Sequence, residues 1–236
     1  MNDFKTIQDP SPISHKRALL ILATYFIGYI FVIPIILYTI DGFFPGFYPN
    51  ATVDVAFHTI MTLVFLKLAS KLLQESNKHM NPKALVVPIL AAPFMIYGSA
   101  IINIAMTTIS GQTEPVNQSI IIELFNANRL PIMVQVLVFA PIVEEIIFRG
   151  IFYRHLKKAG RYLVPLIFST LLFATLHSLS AIMMQQWTDL WYIPVYAFMA
   201  LVLAYTYEKS QNLYSSIFLH FINNAISILA MLYALK

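Results

Sequence analysis

The chain of 236 residues contains no cysteine, which excludes disulfides, thiolate nucleophiles and Cys-ligated metals, and leaves the redox compartment unreadable. Charge is also scarce. Asp, Glu, Lys and Arg make up 11% of the residues against 58% hydrophobic ones, whereas soluble domains carry roughly 25% charged residues. A water-soluble globule is therefore excluded. There is no room for a separate soluble domain, no small-residue cleavage site after the first apolar run, no internal repeat and no low-complexity segment. The excess of basic residues gives a net charge of only +4, which on so apolar a chain speaks for membrane orientation rather than for nucleic-acid binding.

Apolar runs occupy 18–38, 53–73, 84–109, 130–152, 162–179, 190–207 and 213–235. Each approaches the roughly 20 residues that a helix needs to cross a bilayer. The expected fold is thus all-α, a polytopic bundle of about seven transmembrane helices. It comprises a short N-terminal tail, 1–17, and a single integral membrane domain, 18–236. Prolines inside the spans (Pro34, Pro88, Pro93, Pro141, Pro165 and Pro194) predict kinks whose freed carbonyls neighbouring helices must satisfy. Assigning alternate connections to one face collects 13 of the 15 Lys and Arg there, leaving Arg129 and Lys236 on the other. The positive-inside rule then places the N-terminus in the cytoplasm and the C-terminus outside. The external stretch 111–128 reads either as a short amphipathic helix in the interface or as a loop with a few buried apolar contacts.

Ionisable groups within spans cost roughly 2.5–3.5 kcal/mol each on insertion scales, so they mark candidate sites. Three places collect them: Glu144, Glu145 and Arg149 in the fourth span, His177 in the fifth, and His220 with Asn224 in the seventh. Glu145 and Arg149 are four apart and share a helix face, which turns Glu144 about 100° away, into the bundle. With a turn near Ala159 and Gly160, helical rise puts Glu144 about 21 Å and His177 about 24 Å above it, and His220 and Asn224 about 14 and 20 Å above Gln211. The four side chains are expected to meet near mid-membrane, open toward the cytoplasmic side. A carboxylate with two imidazoles can hold a divalent metal and its water or deprotonate water directly, and an Asn amide can donate to an oxyanion.

The remaining histidines carry less. His15, His79 and His155 lie among basic residues in connections and read as solvated or headgroup-contacting. His58, four residues after Asp54, reads as an interfacial hydrogen bonder before a second polar site. Trp187, Trp191 and Tyr192 fit an aromatic belt.

The ordered elements Glu144-Glu145-x-x-x-Arg149, Phe173-x-x-x-His177 and His220-x-x-x-Asn224 resemble the CPBP family, which contains CAAX-type prenyl-protein endopeptidases and bacterial bacteriocin-processing or immunity proteins, also called Abi proteins. The resemblance covers roughly 130–230, and no motif position departs from the pattern. It implies an intramembrane endopeptidase in which Glu144 activates water beside His177, His220 and Asn224 complete the site, and Glu145 and Arg149 support it. It further implies a membrane-associated peptide or protein substrate, membrane lipids as surroundings, and, through the bacterial branch, a bacterial cell membrane. Zinc or another divalent metal on Glu144, His177 and His220 is one implied mechanism and a metal-free glutamate mechanism the other. A non-catalytic immunity or scaffolding protein of the same fold is the main alternative. An ion-coupled transporter fits less well, because no halves with matching broken helices are visible.

Overall fold

The computed structural model describes residues 11–157 and 162–234. The first ten residues, the turn expected at Ala159 and Gly160, and Lys236 lie outside the described residues. Among the described residues the chain is helical, without strands. Six helices are long and apolar enough to cross a membrane: α1 (His15–Phe43), α2 (Ala51–Leu68), α4 (Pro82–Ser110), α6 (Arg129–Tyr153), α9 (Trp187–Ser210) and α10 (Leu213–Ala234). Between them lie α3 (Ser70–Lys78), α5 (Val116–Ala127), α7 (Leu163–His177) and α8 (Leu179–Met183).

The fifth expected span is α7, which is shorter than its apolar run and falls outside the six. It ends at His177 after 15 residues, and Ser178 separates it from α8. The second expected span divides likewise at Ala69. Within 111–128 the helical alternative is realised over the 12 residues of α5, with Val116 and Phe125 buried. Local sequence explains several boundaries. Asn50 and Asn81 accept backbone N–H groups two residues on, capping α2 and α4, and Pro82 follows as the first residue of α4, where its missing N–H costs nothing. Gly111 ends α4 with a left-handed φ of 70° that suits glycine. At Gly98 an added Cβ would sit 2.4 Å from the Phe198 ring, so the absent side chain lets α4 and α9 meet.

Leu19, Ile27, Phe94, Leu130 and Val164 face outward, as a lipid-facing surface allows. The interior of α6 is tight. Val143, Glu145, Ile146, Ile147 and Phe148 are all at most 1% exposed. The ends of the bundle differ in chemistry. At one end Arg154 pairs with Glu75 at 2.6 Å, Lys157 with Glu208 at 2.5 Å, and Arg17 donates to the carbonyls of Lys67 and Leu68. The described basic residues assigned to a common face lie at this end, apart from Arg149 within the bundle. At the other end Asp189 accepts the N–H of Val116 at 2.7 Å and fixes the start of α5.

Candidate active site

α6 carries the central residues, and its path is not a plain α-helix. Wide i→i+5 turns run over Gln135–Phe139 and Ile146–Tyr153, on either side of Ala140–Glu145. Such turns are rare in helices and concentrate at functional sites. Glu145 and Arg149 form the expected buried pair at 2.9 Å. The guanidinium also donates to the Ala200 carbonyl at 2.8 Å and lies 5.1 Å from the centre of the Phe173 ring. Each of these contacts compensates for the desolvation of a cation that is only 2% exposed.

The structure brings Glu144, His177 and His220 together. Oε2 of Glu144 lies 3.9 Å from Nε2 of His177 and 4.0 Å from Nε2 of His220. The partners of the other ring nitrogens decide what these atoms offer. Nδ1 of His177 lies 2.9 Å from the Phe173 carbonyl, which can only accept, so Nδ1 carries the proton. Nδ1 of His220 donates at 3.1 Å to Oε1 of Glu145, the same oxygen that receives Arg149. Both imidazoles, when neutral, therefore present an Nε2 lone pair to Oε2 of Glu144, a buried atom without a hydrogen-bond partner. Three acceptors facing one another are satisfied by a proton, a cation or a hydrogen-donating water between them. An N–H held by a carbonyl or carboxylate on the far side of the ring is also the arrangement that orients metal-binding histidines.

This donor set of two imidazole nitrogens and one carboxylate oxygen suits zinc in kind. Its spacing is wider than in a ligated cluster, where tetrahedral geometry brings donor atoms to about 3.4 Å of each other. Among the described residues no group of three His, Asp or Glu side chains stands close enough together to hold a metal ion as placed.

Asn224 reaches the same region but is already engaged, donating at 2.9 Å to the Val136 carbonyl and accepting from Asn223 at 3.3 Å. Aromatic rings frame the site. His177 lies against Phe173 at 4.3 Å and against Tyr196 at 4.8 Å between ring centres.

A cavity of about 730 Å³ contains Glu144, His177, His220 and Asn224. It runs from them to Thr113, Glu114 and α5, toward the end opposite the basic residues. This corrects the expectation of an opening on the basic side. The lining also includes Asn103, Asn117, Gln118, Gln135 and Asn223, which a search for ionisable groups passes over; amides inside apolar spans, as at Asn103 and Gln135, were the available signal.

Residues 126–226 match the family model described as Rce1-like, type II CAAX prenyl endopeptidase. This stretch is a domain of the CPBP family. Neither the curated proteins nor the solved structures give a match. The CPBP domain contains all seven motif residues, whereas Asn103 and Asn117 precede it.

Of the other predicted positions, His58 is buried and bonds Tyr29 at 3.2 Å and the Asp54 carbonyl at 3.0 Å, as a helix-bridging residue. His15 and His155, read as solvated or headgroup-contacting, meet at 2.7 Å at an exposed position. Trp187 and Trp191 are exposed as belt residues, whereas Tyr192 is buried and bonded to the end of α4.

Proposed function

We propose that the protein is an intramembrane endopeptidase that hydrolyses a peptide bond with water activated at Glu144. The observation that carries this reading is the unpartnered Oε2 of Glu144 facing two imidazole Nε2 atoms inside a large cavity. A water placed among these acceptors gives one proton to Glu144 as its oxygen attacks the peptide carbonyl. The protonated carboxyl then returns that proton to the leaving amine, so that OH ends on the acyl carbon and H on the nitrogen. One of the two imidazoles, His177 or His220, accepts a hydrogen bond from the water's second hydrogen, which stays on the oxygen, and holds the lone pair on line. The free hydrogen of the Asn224 amide can donate to the developing oxyanion. Glu144, His177 and His220 would also be the residues that hold a divalent cation, which when bound supplies acidity to its water.

Glu145 and Arg149 act one step back. Their pair neutralises the buried charge and keeps the His220 proton on Nδ1. The experiment is processing of a membrane-associated peptide by purified variants. Glu144→Gln, nearly the same in shape, should fold and lose activity by about 10²–10⁴-fold, the usual contribution of a general base. Full retention of the biological phenotype by Glu144→Gln and His177→Ala would instead favour a non-catalytic immunity or scaffolding role.

A further inference from the structure

The depth of the site and its access point in opposite directions. Measured along the helices, Glu144 is about 14 Å from the basic end of α6 and His220 about 10 Å from that end of α10. Yet that short way is closed. Between the site and the basic end stand Phe148, Phe173, Leu203 and Leu219, each at most 1% exposed, backed by the Tyr153–Glu208–Lys157 chain of contacts. The longer way is open. On α6 and α10 the cavity lining starts at Glu144 and His220 and continues only toward the other end, through Gln135 and Val136 and through Asn223 to Met231. On α4 and α9 it likewise runs from Ile96 to Asn103 and from Met199 back to Val195. Its mouth lies at Thr113–Pro115 and α5.

Because nine of the eleven described Lys and Arg lie at the opposite end, with Arg149 inside the bundle and Arg129 at this one, the positive-inside rule sets that mouth on the non-cytoplasmic face. We propose that the site is loaded from outside the membrane by an extended peptide segment emerging at the outer leaflet. This deepens the endopeptidase reading above and rests on it for the chemistry. The lining favours a peptide main chain over a lipid tail. Six carboxamides, those of Asn103, Asn117, Gln118, Gln135, Asn223 and Asn224, surround the path. Asn223, Asn224, Gln135 and Asn117 each have a partner, in Asn224, Val136, Tyr29 and Tyr196, but a carboxamide keeps further N–H and lone-pair capacity, the complement of a peptide group, which a hydrocarbon chain would leave unused.

The absence of cysteine makes the test direct. Single substitutions Asn103→Cys and Ser227→Cys place a thiol in the passage, and Lys83→Cys places one at the basic end, without touching the residues assigned to chemistry. A charged, membrane-impermeant methanethiosulfonate reagent is applied to intact cells and to inverted vesicles. A detergent-solubilised sample of each variant provides the total reactive thiol. The expected result is labelling of Asn103→Cys and Ser227→Cys in intact cells, with Lys83→Cys labelled only in inverted vesicles. Labelling of the passage thiols only in inverted vesicles, or from neither side while they react in detergent, would overturn the proposal. Sidedness is read here without catalysis. Outside labelling combined with a fully active Glu144→Gln would sink the endopeptidase reading and leave the direction of access standing; inside labelling with an inactive Glu144→Gln would do the reverse.

Discussion

Asn224 donates its side-chain amide to the carbonyl of Val136 at 2.9 Å, and that carbonyl is free because of Pro141. In the wide turn preceding Ala140, backbone N–H groups bond five residues back, as Ala140 does to Gln135. The next donor in that register would be residue 141, and proline has none. A proline on α6 and an amide on α10 are thus one device, which sets the level of the two helices and with it the approach of His220 to Glu144.

Asn224→Ala should remove the partner of the half-buried Val136 carbonyl, at a cost of about 0.5–1.5 kcal/mol, in addition to any loss of activity. Pro141→Ala returns a backbone N–H, so Asn224→Ala should be less damaging in that background. A double-mutant cycle on thermal midpoints in detergent measures this coupling, and strict additivity would refute it.

Removing either Glu145 or Arg149 leaves its partner buried and charged. Arg149→Met and Glu145→Leu should each lower stability by about 3–5 kcal/mol, read as reduced folded yield and an earlier unfolding transition. Glu144→Gln should unfold near the wild-type temperature. Equal damage in all three would contradict the separation of the supporting pair from the general base.

Acid should loosen the contact between α1 and the end of α6. Burial, and then the neighbouring His15, hold the His155 imidazole below its ordinary value of 6.5. The unfolded chain therefore binds the proton more readily than the folded one. The stabilisation is present above about pH 6.5, falls as pH drops through that value, and is lost once the folded ring is also protonated. The thermal midpoint should decline between about pH 7.5 and 5, and His15→Ala should shallow that slope.

Gly98→Ala should force the Phe198 ring aside at a cost of about 1–3 kcal/mol, as overpacked sites do. Phe198→Leu should recover most of it. The comparison of unfolding temperatures for the two single variants and the pair decides whether this contact sets the α4–α9 distance.

Six of the seven motif residues were legible because they obey helical spacing within single spans, Glu145 with Arg149, Phe173 with His177, His220 with Asn224, and Glu144 was legible as the second carboxylate beside Glu145 in an apolar run. Their common depth followed from helical rise and chain direction. What escaped is what spacing within a helix cannot encode. Asn103 and Asn117 join the site from α4 and α5, whose register against α6 is fixed by contacts far apart in sequence, such as Asp189 with Val116. The wide turns of α6 left no trace in its apolar pattern. Depth alone also suggested the wrong opening, because it measures distance to an end and not whether Phe148, Phe173 and Leu219 seal it.

The carboxamide-lined passage has a sign as well as a direction. Among the described residues, and apart from the two histidines and Tyr196, its ionisable lining consists of Glu144 at the bottom and Glu114 at the mouth, without Lys or Arg. On the proposed endopeptidase reading, cleavage of a peptide there would create a new carboxylate and a new ammonium in a space whose described carboxylates have no Lys or Arg beside them in the lining. The carboxylate fragment is pushed away from the general base, and the ammonium fragment is drawn along toward Glu114. Discharge of the two products is thus asymmetric, and segments rich in Asp or Glu are the poorest guests.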